Sequence, residues 1–67
     1  MSKSFAEVEE TIHAMVSARV VKIEKAGEFL LSLPDVGNSV MLEYLRDTKQ
    51  WRTEISVLHD LLRELWD

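Results

Sequence analysis

The sequence contains no cysteine, which excludes a disulfide framework and any thiolate metal site. Packing alone must therefore hold the fold together. The sequence also lacks a charged-then-apolar leader, and no apolar run is longer than the three residues at positions 29–31, whereas a membrane span needs roughly 20. These absences predict a soluble protein of the cytoplasm with no membrane partner.

Positive charge is scarce, because 8 Lys and Arg residues stand against 12 Asp and Glu residues, a formal net charge of −4. This balance argues against binding a phosphate backbone, so we expect no nucleic-acid partner. The 46% hydrophobic content, together with 30% charged residues, is too apolar for disorder and typical of amphipathic helices. At 67 residues the chain is long enough for a single domain, here 1–67, with a small core.

Glycine and proline are confined to Gly27, Pro34 and Gly37. The last two lie in the segment SLPDVGNS, which also contains residues that favour helix caps and turns. A helix cannot continue through this segment because proline interrupts it. The sequence therefore predicts an all-α fold, a two-helix antiparallel hairpin. Its predicted parts are a helix at about 5–32, a turn at about 33–38 and a helix at about 39–65.

The start of the first helix carries a capping box, formed by Ser4 and Glu7. Gly27, inside this helix, has two interpretations: a close crossing with the other helix, or an early helix end. In the second helix the apolar residues form a regular heptad seam with one polar member. That seam is Met41, Tyr44, Thr48, Trp51, Ile55, Leu58, Leu62 and Leu65.

The first helix has two apolar registers that a four-residue stutter separates. The registers are Phe5, Val8, Ile12 and Met15, and then Val16, Ile23, Ala26, Leu30 and Leu33. Arg19 falls on the seam in either register, and in a hairpin it lies opposite residues 51–54. We expect it to stack on Trp51 or to pair with Glu54 or Asp47. Arg19 either forms an ordinary interhelical ion pair or determines the register and the partner choice of the helices.

Two helices alone bury only one apolar stripe each, which is too little to offset the entropy of ordering the chain. The sequence therefore predicts a homodimeric four-helix bundle, although a larger bundle or an obligate heteromer satisfies the same requirement. The residues expected at the oligomer interface or to set its register are Ala14, Ala18, Arg19, Val21 and Trp51.

Apolar side chains also lie beside the seam of the second helix, and we expect them to bind another protein. These candidate partner-binding residues are Leu42, Leu45, Val57, Leu61 and Trp66. Trp66 is either a lid on the end of the bundle or an exposed anchor. No catalytic constellation is present, and the single E-x-x-H of Glu10 and His13 lacks the further ligands of a di-iron site. We expect no enzymatic activity, no cofactor and no bound metal.

The segment MLEYLRDTKQWRTEISVLHDLL resembles the second helix of small hairpin proteins that chaperone type III secretion needle subunits, in the spacing of Tyr44, Trp51, Ile55 and Leu58. In size and shape the chain is also similar to small dimeric helical anti-activators and phage-encoded inhibitors. The similarity to anti-activators and inhibitors implies an inhibitor, anti-activator or regulatory adaptor that binds another protein, and the resemblance to needle-subunit chaperones implies the alternative. The alternative is an assembly chaperone or a structural subunit of a larger complex.

Overall fold

The computed structural model describes residues 4–66, which form two helices and the turn between them. Helix α1 spans Phe5–Ser32 and helix α2 spans Asn38–Trp66. The two helices pack against each other along a rod of 51 × 18 × 16 Å, and this confirms the all-α hairpin. Neither helix contains a stretch, within residues 4–66, that is long and apolar enough to cross a membrane.

Local hydrogen bonds define where the helices begin and end. The Ser4 hydroxyl accepts a hydrogen bond from the backbone N–H of Glu7 at 3.3 Å, as the capping box predicts. At the other end of α1, Leu33 leaves the helical region with φ −78° and ψ 135°, the conformation that a following proline favours. The first turn of α2 closes where the backbone N–H of Met41 donates to the carbonyl of Gly37 at 3.1 Å.

Gly27 lies inside a continuous helix, so the interpretation as an early helix end is wrong. It is half-buried and lies against α2, where a Cβ on Gly27 would stand 3.8 Å from the Tyr44 hydroxyl oxygen. This contact matches the interpretation as a close crossing. It also shows that the two helices are antiparallel, because Arg19, earlier in α1, contacts Glu54, later in α2.

The predicted seam of α2 faces α1 except at Met41, which is exposed. On α1 the structure shows one seam in place of the two predicted registers. This seam follows the second register from Val16 onward and, in steps of four residues, includes Ile12 and Val8 of the first register. Phe5 and Met15 are exposed and lie outside it. The residues of α1 that face α2 are Val8, Ile12, Val16, Arg19, Ile23, Ala26 and Leu30, and Leu33, just after the helix, is also half-buried.

The hairpin buries very little. Among residues 4–66, the buried apolar side chains are Ile12 and Leu58, each 7% exposed, and the buried polar residue is Thr48. Its hydroxyl donates to the carbonyl of Tyr44 in its own helix at 2.8 Å. The accessible surface is 5500 Å², whereas a compact monomer of this mass has about 4,400 Å². The single chain therefore exposes about 1,100 Å² more surface than a compact monomeric protein of the same mass.

Candidate protein-binding surfaces

An ion pair joins the two helices near the middle of α1. The Arg19 Nε donates to the Glu54 Oε1 at 2.9 Å, and its Nη1 donates to the Met15 carbonyl at 3.0 Å. Both charged side chains are partly shielded from water. Of the three partners expected for Arg19, the structure shows Glu54. This pair is the polar interruption of an otherwise apolar α1 seam.

Two faces flank the seam, one on each side. Successive residues of an α-helix are about 100° apart around its axis, so the neighbours of an inward residue lie on opposite flanks. On one side, residues of both helices line shared grooves: Phe29 with Glu43, and Val8 with Leu61. We call this side the groove face. Its exposed large apolar side chains are Met15, Phe29, Val57 and Leu61, each of which directly precedes an inward residue.

The groove nearest the turn has apolar walls and an acidic rim. Its walls are formed by Ala26, Phe29, Leu30, Val40, Tyr44 and Trp51. Two carboxylates of α2, those of Glu43 and Asp47, also line it. Phe29 is 61% exposed at its edge, so the groove is open to a partner side chain.

Further grooves on the same face lie toward the free ends of the helices. Val8 and Ile12 of α1 line one of them with Leu61 and Leu65 of α2. Val57 lines another beside the Arg19 and Glu54 ion pair. The grooves near both ends of this face are therefore mainly apolar but carry carboxylates, those of Glu43 and Asp47 near the turn and that of Glu64 toward the free ends, and the ion pair lies near the middle.

The opposite face carries a second apolar cluster near the turn. Leu30 faces α2 and Phe29 lies on the groove face, so Leu31, the other neighbour of Leu30, lies on the opposite face. By the same argument Leu45 lies opposite Glu43, and it lines a groove with Lys49 and Arg52 of its own helix.

Met41 and Leu42 adjoin Leu45, since residues three and four apart are neighbours on a helix surface. The contact of Gly27 with Tyr44 places Leu31, one turn later in α1, at the level of Met41. We call these four residues the turn-end patch. Leu31, Met41, Leu42 and Leu45 are 87%, 38%, 66% and 53% exposed.

The structure divides the five candidate partner-binding residues among three places. Val57 and Leu61 lie on the groove face, whereas Leu42 and Leu45 belong to the turn-end patch. Trp66 lies at the free end of α2 and is 70% exposed, so within one chain it does not cover the core. These residues do not form one continuous surface.

The residues expected at an oligomer interface also differ in position. Ala14, Ala18 and Val21 are exposed on α1, and Ala18 is on the groove face because it directly precedes Arg19. Trp51 is half-buried between the helices and lines the groove nearest the turn.

Sequence reasoning missed Phe29, Leu31 and Met41 as surface candidates. The heptad spacing predicts Met41 in the seam, and of the apolar run at 29–31 only Leu30 is assigned to a register, with no place predicted for its two neighbours. The signal was present, because three consecutive residues of a helix cannot all face the same neighbour.

The histidine side chains form no site for a metal in the described part of the chain. His13 Nε2 lies 3.7 Å from Glu9 Oε1, the ordinary pair of residues four apart on one helix. No group of three His, Cys, Asp or Glu side chains that could hold an ion occurs among residues 4–66.

Comparison of the chain with protein-family models, with curated proteins and with solved structures finds no match. The candidate surfaces are therefore interpreted from the exposure, charge and position of their own residues.

Proposed function

We propose that this chain is a non-enzymatic protein that acts by binding another protein through an exposed apolar helical surface. The observation that carries the proposal is the contrast between two buried apolar side chains and twelve exposed large ones in the described residues. Scattered exposed apolar residues are normal, but contiguous clusters of them mark interaction sites.

We further propose a homodimeric four-helix bundle. The exposed surface exceeds that of a compact monomer by about 1,100 Å². A standard protein interface covers about 800 Å² of each partner, and obligate homodimers cover more. Pairing two hairpins would therefore give each chain the burial that it lacks alone.

The turn-end patch supports the partner-binding part of the proposal. It contains Leu42 and Leu45 from the candidate set and adds Leu31 and Met41. Because it lies on the side away from the shared grooves, it stays accessible when the groove face is covered. A partner would cover these leucines with an apolar surface of its own, and the chain would act as an inhibitor, anti-activator or regulatory adaptor.

Affinity capture from the source cells tests the proposal when it compares two charge substitutions one turn apart on α2. We expect Leu45→Glu to abolish capture of a partner that the unmodified chain retains, because the carboxylate would be desolvated in an apolar contact. Lys49→Glu, four residues later and also exposed, is the matched control and should keep the partner.

Circular dichroism on the same variants decides what a loss of capture means. Equal helicity in Leu45→Glu and the control supports a binding surface. Loss of helicity in Leu45→Glu would show that this leucine is core, and equal capture by both variants would refute a role for the patch.

A second candidate is a structural subunit or an assembly chaperone of a larger complex. The observation that favours it is the exposure of Phe5 and Trp66 at the free ends of the helices, far from the turn-end patch. A chain with apolar surface at both ends suits end-to-end stacking. Light scattering over a concentration series distinguishes the two candidates: a constant dimer mass favours the regulator, and a mass that grows with concentration favours the subunit.

A further inference from the structure

The groove face carries opposite charges on its two helices. On α1, Lys22 and Lys25 directly precede the inward residues Ile23 and Ala26, which places both lysines toward this face. On α2, Glu43 and Asp47 line the groove nearest the turn. Near the turn, the face therefore presents a basic row on α1 and an acidic row on α2.

The two rows lie at nearby levels along the hairpin. Gly27 is level with Tyr44, so in this antiparallel pair Lys25, two residues earlier, is level with Arg46 and close to Asp47. Lys22 lies about one further turn away, within reach of a long side chain. A surface with this arrangement can be complementary to itself.

A two-fold axis can bring two copies of this face together in two ways. With the axis across the middle of the hairpin, α1 lies on α1 and α2 on α2 with their long directions reversed, so that the lysines and carboxylates near the turn oppose apolar residues toward the free ends of the other copy. With the axis along the hairpin, α1 of each copy lies on α2 of the other at the same level, so that the basic row of each opposes the acidic row of the other. Only the second arrangement pairs the basic row with the acidic row, whereas the first sets the charges of both rows against apolar side chains, which is costly.

We propose that a second copy of this chain packs on the groove face with the two-fold axis along the hairpin, an inference that rests on the homodimer proposed above. Lys22 and Lys25 of each chain pair with Glu43 and Asp47 of the other. The two grooves nearest the turn then face each other, and the Phe29 side chain of each chain fills the space between them. The apolar side chains at 57 and 61, with Met15, close the interface toward the free ends.

The area to be covered favours a second copy as the occupant. The surface excess of about 1,100 Å² per chain lies in the range that a stable homodimer buries. All four helices then pack antiparallel to their neighbours, the arrangement of an up-down bundle. The turn-end patch stays outside this interface.

Charge reversal tests the inference. Variant A carries Lys22→Glu and Lys25→Glu, and variant B carries Glu43→Lys and Asp47→Lys. In the proposed dimer each variant places like charges at every contact of the two rows, so we expect each dimer to weaken by about a hundredfold. An equimolar mixture of A and B should restore a dimer, as should one chain carrying all four substitutions. Analytical ultracentrifugation at low salt, with circular dichroism for helicity, measures both.

The control reverses the charges of Lys49 and Arg52, which line the groove of the opposite face. This control should keep the dimer mass of the unmodified chain. A high salt concentration should lessen the defect of A and B, because exposed charges are then screened. The four-fold variant guards against misfolding, since restored dimerisation shows that the substitutions leave the hairpin intact.

The outcomes separate this inference from the proposal on which it rests. A dimeric unmodified chain with A and B also dimeric would overturn the assignment of face and axis but leave the homodimer standing. The same holds if A and B dissociate and the four-fold variant fails to recover. An unmodified chain that is monomeric at every concentration would overturn the homodimer and this inference together.

Discussion

Two regions of the contact between the helices differ in how far their side chains are removed from water. Near the free ends, Ile12 and Leu58 are almost fully removed from water. In the middle, Arg19 and Glu54 form an ion pair that remains partly hydrated. Burial of an aliphatic side chain contributes about 1.5 to 3 kcal/mol, whereas an exposed ion pair contributes about 0 to 1 kcal/mol. The first level therefore supplies stability, and the second must be explained differently.

We propose that the ion pair sets the register in which the two helices pack. A seam of apolar residues that repeats every seven positions can slip by one heptad and still bury apolar side chains. Arg19 and Glu54 meet in only one register, and a slipped hairpin would leave both charges beside apolar neighbours. On this proposal, the buried aliphatic side chains determine how strongly the two helices associate, and the ion pair determines how they align.

Leu58→Ala should produce the largest loss of stability. Removing a buried leucine side chain costs about 2 to 5 kcal/mol, from lost burial and from the cavity left behind. Urea unfolding followed by circular dichroism, at a fixed chain concentration because association contributes to stability, measures the change. The control is Leu42→Ala on the same helix, where the exposed side chain should cost less than about 0.5 kcal/mol.

Equal losses at the two positions would contradict the division into a buried level and an exposed patch. A large loss for Leu42→Ala alone would place this leucine in an interface that is already formed in the purified protein.

Arg19→Ala should have a smaller effect, about 1 kcal/mol, because its partner stays partly hydrated and keeps some of its solvation. A double-mutant cycle with Glu54→Ala isolates the coupling between the two side chains, which we expect at about 0.5 to 1 kcal/mol. The pair Arg63 and Asp60, exposed on α2 at 4.0 Å, is the control and should show coupling near zero. An equally large coupling energy at the control pair would contradict the prediction that the interhelical pair contributes more than an ordinary surface pair.

The sequence was sufficient for the helices and for the level of their contact. Heptad spacing, the capping box and Pro34 together predict the hairpin, because each reflects a local property of the backbone. The distance of Arg19 from the turn then places it opposite residues 51–54, and the structure shows Glu54 as its partner. Which of the three candidate partners Arg19 contacts depends on side-chain geometry, and the spacing of residues along the sequence does not contain that information.

The division of the surface into two faces was not predicted, although helix geometry carries the information. Leu45 and Val57 are twelve residues apart, which separates them by about 120° around α2. Grouping them as residues beside the seam ignored the side on which each lies. Which flank of α1 accompanies each flank of α2 depends on the packed pair, and the shared grooves reveal it.

Gly27→Ala should produce the smallest change and in the opposite direction, a stabilisation of about 0.5 to 1 kcal/mol. Gly27 has ordinary helical backbone angles, and an added Cβ would meet the Tyr44 hydroxyl at 3.8 Å, a normal van der Waals contact. In thermal unfolding at fixed concentration, 1 kcal/mol raises the midpoint by about 4 to 8 °C. Gly37→Ala, outside the helices and in open space, controls for the general effect of the substitution. A lowered midpoint for Gly27→Ala alone would mean that the helices need this glycine to approach each other, and that this level of the seam, like the ion pair, determines alignment more than stability.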